Sequence, residues 1–278
     1  MKGVIVAAGY GTRFLPVTKT VPKEMLPLVT VPAIAFIMDE FAASGISDVI
    51  VITSRRKKAL EDYFDREAEL ESVFMREGKA DKAALVGPPP VRVSFVRQTE
   101  MRGTGHALLQ VAPFIGDEPC VVAYPDDLHV GEPPLARQLI EAHERTGCSV
   151  LATIHEEGDV SRYGVVDPAP DGLRVRGFVE KPARGTEPSH EVSIGRYLYT
   201  PEFFHKLAEG WDPRAPGEYY HLGALKALIA EGKLAYVRAK GERLDTGEPA
   251  GYVKAFLARA WEEPELREAV RDFMRSKA

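Results

Sequence analysis

Gly3-Val4-Ile5-Val6-Ala7-Ala8-Gly9-Tyr10-Gly11-Thr12-Arg13-Phe14-Leu15-Pro16 is an apolar run that breaks into glycines and then into prolines. Gly3–Ala8 is apolar throughout, which predicts a strand covered on both faces, as in a parallel sheet. A dinucleotide fingerprint needs a third glycine where Phe14 stands and a helix behind it; Pro16 and Pro22 interrupt any helix. The GxxxxGK[ST] phosphate loop is absent as well. What remains is a flexible turn at the carboxyl end of a strand, the usual ligand side of an open α/β sheet. Gly9 and Gly11 let backbone N–H groups approach a ligand closely. Arg13, Lys19 and Lys23 follow on an extended, proline-braced arm, and their charges suit a triphosphate.

Outward from this loop, short β-branched runs alternate with helical patterns. Asp48–Thr53, Val91–Gln98, Cys120–Tyr124 and Ser149–Ile154 read as further strands. In Ala33–Ser44 the residues Ile34, Ile37, Met38 and Phe41 keep helical spacing, and Pro32 and Gly45 bound the helix. Gly105–Val111 and Pro134–Arg145 repeat the pattern, Arg55–Asp62 reads as a solvated helical face, and Glu67–Pro90 reads as one helix followed by a proline-rich loop. The second half changes character. Gly164–Asp167 and Leu173–Glu180 flank a turn at Pro168–Gly172, a hairpin signal. Glu191–Thr200 and Leu234–Ala239 are strand candidates, Pro201–Glu209 and His221–Ala230 helices, and Ala250–Lys277 a long helix broken near Pro264. The expected fold is α/β: a Rossmann-like, mostly parallel central sheet flanked by helices, with a smaller antiparallel lobe. One domain is expected over residues 1–278, with about 1–150 binding a nucleotide, about 151–250 a sugar phosphate, and 251–278 forming a C-terminal helical segment.

The 278 residues are 45% hydrophobic and 28% charged, with a formal net charge of −5. That balance disfavours a dedicated nucleic-acid binder, which needs a basic surplus. The two cysteines, Cys120 and Cys148, have neither disulfide-framework nor zinc-site spacing and are expected to pack in the core. No run approaches the ~20 apolar residues of a membrane span, and the opening lacks a signal-peptide layout. No membrane association is expected, and the cytoplasm is the expected compartment.

Longer strings carry more information than the glycine pair. Gly9-x-Gly11-Thr12-Arg13-Phe14-Leu15-Pro16-x-Thr18-Lys19-x-x-Pro22-Lys23-Glu24-Met25-Leu26-Pro27 resembles the signature of bacterial UTP–glucose-1-phosphate uridylyltransferases, within the sugar-phosphate nucleotidyltransferase superfamily. Gly-x-Gly-Thr-Arg alone marks the superfamily; the Pro-Lys-Glu-Met-Leu-Pro ending points to the uridylyltransferase branch. Val96-Arg97-Gln98 with Gly103-x-Gly105-His106-Ala107 resembles that family's base-reading segment. Pro125-Asp126-Asp127 resembles its metal-binding strand end. Tyr163–Val166, Val179-Glu180-Lys181-Pro182 and Gly195-Arg196-Tyr197 resemble its sugar-phosphate pocket, and Asp245-Thr246-Gly247 its second carboxylate motif. The resemblance spans roughly residues 2 to 256. Glu218-Tyr219-Tyr220-His221-Leu222-Gly223 departs from the Glu-Ile-Gln-Leu-Thr-Asp-type string common there.

The resemblance implies transfer of a uridylyl group from UTP to glucose 1-phosphate with release of pyrophosphate, assisted by Mg2+, in a homo-dimer or homo-tetramer. It implies catalytic roles for Arg13, Lys23 and Lys181. Nucleotide contacts fall to Ala8, Gly9, Gly11, Thr12, Glu24, Gln98 and Gly103, and sugar-phosphate contacts to Gly164, Glu180, Lys181 and Arg196. Asp126 and Asp245 are the implied metal ligands. Asp127 is expected to cap a turn and His106 to start a helix. No general base is required, because a phosphate monoester with a second pKa of about 6 is already anionic near neutrality. Three other readings stay open on the residues: dTTP or another sugar 1-phosphate in the same reaction, a non-catalytic binder of a sugar nucleotide, and an oxidoreductase. The full charge set argues against the second, and the missing third glycine against the third.

Overall fold

The computed structural model describes residues 1–277; Ala278, the last residue of the expected C-terminal segment, lies outside the described residues. The first half runs β1 (Lys2–Val6), β2 (Pro27–Leu28), β3 (Val31–Pro32), α1 (Ala33–Ala43), β4 (Asp48–Thr53), α2 (Lys58–Phe64), α3 (Ala68–Arg76), α4 (Ala80–Leu85), β5 (Arg92–Arg97), α5 (Gly103–Ile115), β6 (Cys120–Ala123), β7 (Asp127–Val130) and α6 (Leu135–Thr146). The second runs β8 (Ser149–His155), β9 (Gly164–Pro168), β10 (Val175–Glu180), β11 (Glu191–Tyr199), α7 (Pro201–Glu209), α8 (Leu222–Ala230), β12 (Leu234–Arg238), β13 (Glu242–Asp245), α9 (Pro249–Glu262) and α10 (Pro264–Arg275).

The main sheet has the order β10-β9-β11-β6-β1-β4-β5, and β8 pairs with both β11 and β12. β6, β1, β4 and β5 are parallel, which explains the unbroken apolar runs: Val4, Ile5, Val121 and Val122 are wholly buried. α1 covers one face through Ile34, Ile37, Met38 and Phe41. Gly3 has no Cβ because the Phe41 ring lies there; a Cβ would fall 2.5 Å from the ring. The expected hairpin is β9–β10, antiparallel, and β11 ties it to β6 by antiparallel pairing. Both cysteines are free and buried, as expected.

Two local expectations are corrected, and one strand was not anticipated. The arm after β1 is a chain of three 3₁₀ turns, Thr12–Phe14, Val17–Lys19 and Lys23–Met25, and is therefore compact instead of extended. Glu67–Pro90 holds two short helices, α3 and α4, where one was expected. The segment before Asp245 is a strand, β13, paired antiparallel with β7 so that Asp127 faces Asp245. Among the described residues, no helix is long and apolar enough to cross a membrane.

Candidate active site

β1 and β6 are parallel neighbours, and chain order runs away from β1 in both directions across the sheet. Their carboxyl ends deliver Ala8 and Gly9 from one loop and Tyr124, Pro125 and Asp126 from the other into a common crevice. The first loop folds back on itself. The Thr18 hydroxyl donates to the Gly11 carbonyl at 2.8 Å, and Gly11 takes a φ of 68° with Lys23 against it. This return lands the Lys23 ammonium on Asp126 Oδ2 at 2.5 Å. Burial alone would push the Asp126 carboxyl up, but the Lys23 ammonium and the Arg13 guanidinium outweigh it and hold it below the usual carboxylate range.

On one side of this pair lies a hollow of about 340 Å3 lined by Ala8, Gly9, Gln98, Gly103 and Thr104, with Tyr10 at its edge. The Gln98 amide nitrogen donates to the Gly103 carbonyl at 3.1 Å and meets His106 Nδ1 at 3.2 Å. With Nε2 turned to these two neighbours, Oε1 is left to accept from a ligand. Gly103 has a φ of +88°, and a Cβ there would fall 2.6 Å from the Tyr219 carbonyl oxygen. The Gly105 N–H donates to that same oxygen at 2.8 Å, so the segment departing from the familiar pattern walls this hollow.

Farther along the crevice lies a hollow of about 550 Å3, lined by Gly164, Glu180, Lys181, Tyr197 and His221. A Cβ on Gly164 would collide with the Phe178 ring and come within 2.9 Å of Glu180 Oε2. Lys181 sits at a φ of 49° at the end of β10, its N–H donating to the Tyr163 carbonyl at 2.9 Å. Between the two hollows a third, of about 420 Å3, collects Arg13, Asp126, Arg243, Asp245 and Gly247. Tyr124 borders all three, so they form one cleft.

The carboxylates converge around Gly247. A Cβ there would lie 3.2 Å from Asp245 Oδ1, 3.5 Å from Asp126 Oδ2 and 3.5 Å from an Arg13 guanidinium nitrogen. The Thr246 N–H donates to the Asp126 carbonyl at 2.9 Å, and the Arg13 guanidinium donates to the Gly247 carbonyl at 3.1 Å. Asp127 does more than cap a turn. Its carboxylate takes a fork from Arg243 at 2.7 and 3.0 Å and accepts the Gly195 N–H at 2.9 Å. Arg243 was missed from sequence, although it stands two residues before Asp245 in the same short strand.

Several expected contacts are corrected. Arg196 is not in the cleft: it is 1% exposed, and its guanidinium forks onto Glu40 at 3.0 and 2.9 Å. A register shift in β11 between Ser193 and Tyr197 turns it inward and leaves Gly195 facing Asp127. Glu24 is likewise buried, its two oxygens held by the Lys57 ammonium at 2.6 and 2.7 Å, so it braces the loop beneath the site. Burial pushes the Lys57 ammonium down against the pull of Glu24. Gly11 turns the loop at its positive φ, and Thr12 begins the first 3₁₀ turn beside it.

A family profile described as nucleotidyl transferase matches residues 2–261. A UTP–glucose-1-phosphate uridylyltransferase of Staphylococcus epidermidis is 40% identical over 280 aligned residues, covering 99% of this chain and 97% of its own length. The Staphylococcus haemolyticus enzyme of that name is 39% identical, with 99% and 97% covered. A UTP-bound UGPase from Acinetobacter baumannii is similar in structure at a TM-score of 0.86 and 30% identity, covering 98% of each chain. A UDP-glucose pyrophosphorylase complexed with UDP-glucose is similar at 0.82 and 34%, covering 95% of this chain and 100% of that one. With a carboxyl-edge cleft built on the glycine–arginine loop and a profile match across nearly its whole length, the chain belongs to the nucleotidyl transferase family.

Proposed function

We infer that this chain transfers the uridylyl group of UTP to glucose 1-phosphate, forming UDP-glucose and pyrophosphate. The observation that carries this reading is the position of the Lys23–Asp126 pair: both residues line the base-sized hollow, and Asp126 also lines the middle hollow, which shares Lys181 with the sugar-sized one. The 40% identical relative bears the name of this reaction. A uracil edge placed against Gln98 would donate its ring N–H to the free Oε1. A sugar 1-phosphate placed in the larger hollow would meet Glu180 through its hydroxyls and Lys181 through its phosphate.

A phosphate oxygen of the sugar 1-phosphate attacks the α-phosphorus, and the bridging oxygen leaves with pyrophosphate. The nucleophile needs no base, so the work of the protein is alignment and charge neutralisation. Arg13 and Lys23 face the triphosphate side, and Lys181 holds the attacking group. Asp126 and Asp245 suit Mg2+: both are hard oxygen donors, both bound the same hollow, and Asp126 is kept ionised by its cationic neighbours. Bound there, Mg2+ would screen the repulsion between the two polyanions. Exposed Leu257, Trp261, Phe273 and Met274 on α9 and α10 support self-association, which light scattering would read.

The test is pyrophosphate release over a matrix of nucleoside triphosphates and sugar 1-phosphates with Mg2+. UTP with glucose 1-phosphate should give the highest kcat/KM. A clear preference for dTTP or for a different sugar phosphate would overturn the substrate assignment.

A further inference from the structure

The wall between the base hollow and the sugar hollow carries hydroxyls. Tyr124 and Thr104 border both hollows, and His221 borders the sugar side. The imidazole is fixed at one end, with Nδ1 2.9 Å from Thr104 Oγ1 and 3.4 Å from the Tyr124 phenol oxygen. Its ring is held between aromatic neighbours, with centroids 6.0 Å from Tyr124 and 5.5 Å from Tyr197. Nε2 has no hydrogen-bond partner among the described residues, and it is not one of the polar atoms sealed inside the protein. It opens on the hollow.

Burial pushes His221 down to about 4, so the ring is neutral near pH 7 and carries one N–H and one bare nitrogen. With Nδ1 engaged by Thr104, the remaining nitrogen is a donor in one tautomer and an acceptor in the other. A phosphate oxygen would satisfy only the first. A hydroxyl donates and accepts, so it satisfies both. The basic side chains suited to phosphate, Lys181 and Arg243, border the middle hollow as well, whereas His221 does not.

We propose that His221 is a sugar-specificity residue, its Nε2 hydrogen-bonding one ring hydroxyl of the bound sugar 1-phosphate while Thr104 holds the imidazole in place. The proposal rests on reading the larger hollow as the sugar site. Because Thr104 also borders the base hollow, the same hydroxyl chain ties the sugar contact to the nucleotide side.

Two substitutions separate contact from scaffold. His221→Asn keeps a polar atom near Nδ1 for Thr104 and loses the reach of Nε2; His221→Gln does the reverse. The measurement is kcat/KM, by pyrophosphate release with saturating UTP, for glucose 1-phosphate and its monodeoxy analogues. In the wild-type enzyme, removing the partner hydroxyl should lower kcat/KM by roughly threefold to tenfold, the scale of one lost hydrogen bond. In His221→Asn, activity with glucose 1-phosphate should fall by a similar factor and the analogue should cost nothing further. His221→Gln should retain part of the discrimination, and the UTP Michaelis constant should stay near wild type in both. Undiminished discrimination in His221→Asn across the whole set would overturn the proposal, as would an equal rise in the Michaelis constants of both substrates. Absence of turnover of UTP with glucose 1-phosphate by the wild-type enzyme would instead overturn the function reading. The scan would then be run on the sugar phosphate the enzyme does use, with the same two outcomes.

Discussion

At the scale of single residues, charges in the cleft are held in pairs that substrates must rearrange. Asp126→Asn and Asp245→Asn remove a charge with little change of shape, and the Thr246-to-Asp126 backbone bond survives both. Both variants should fold and lose most pyrophosphate release, with Asp126→Asn the more severe because Asp126 also faces Lys23. Near-normal turnover by Asp245→Asn would leave Asp126 as the sole carboxylate needed. Gln98→Ala removes the acceptor left free by the Gly103 and His106 contacts. It should narrow the preference for UTP over CTP by about 0.5–1.5 kcal/mol, since cytosine lacks the ring N–H that Oε1 would take. Competition kinetics would read this, and an unchanged preference would place the base elsewhere. Arg196 gives the opposite kind of prediction. Arg196→Met strands the Glu40 carboxylate in the core and should cost about 3–5 kcal/mol in denaturant unfolding, while the sugar-phosphate Michaelis constant of the folded enzyme stays near wild type. A large rise in that constant with little loss of stability would restore Arg196 to the sugar site.

At the scale of elements, the sequence announces what is apolar and continuous, and hides what is short and charged. β1, β4 and β6 are legible because strands buried on both faces must be apolar throughout. α1 is legible from its helical stripe, and its packing makes a prediction. Gly3→Ala sets a methyl group against the Phe41 ring and should destabilise by about 1–3 kcal/mol; Phe41→Leu in the same chain should cost less than the sum of the single changes. Additive losses in denaturant midpoints would mean that Gly3 and Phe41 do not share that space. β7 and β13 were not legible. Each is four residues long with charged or polar positions, and their pairing joins distant parts of the chain. Arg196 was misread for a related reason: Gly-Arg-Tyr carries no sign of the register shift that turns it inward, or of a partner 156 positions away. The glycine–arginine loop, Gln98, Asp126, Glu180 and Lys181 are singled out in the sequence because their strings resemble those of a family; chemistry alone would have left Glu180 and Lys181 as a solvated strand end.

At the scale of the molecule, buried imidazoles couple stability to acidity. His221 is held down to about 4 by burial, and burial also lowers His129. Above pH ~6.5 both folded and unfolded chains hold His221 neutral, so it contributes no pH dependence. As pH falls from about 6.5 toward 4, the unfolded chain takes up the proton and the folded chain does not. Stability should therefore drop through that window, by up to about 3 kcal/mol from His221. Urea unfolding at pH 7 and pH 5 should show a smaller acid loss in His221→Asn than in wild type; equal losses would remove His221 as a source. The pairing of β7 with β13 bears on the birth of the protein as well as on its finished form. The ribosome delivers Lys23 and Asp126 well before Asp245 to Gly247. A nascent polypeptide that has not yet exposed β13 lacks one carboxylate, the Thr246 N–H and the Gly247 carbonyl that anchors Arg13. Translation past β13 is therefore the point at which the middle hollow first has both of its carboxylates, Asp126 and Asp245.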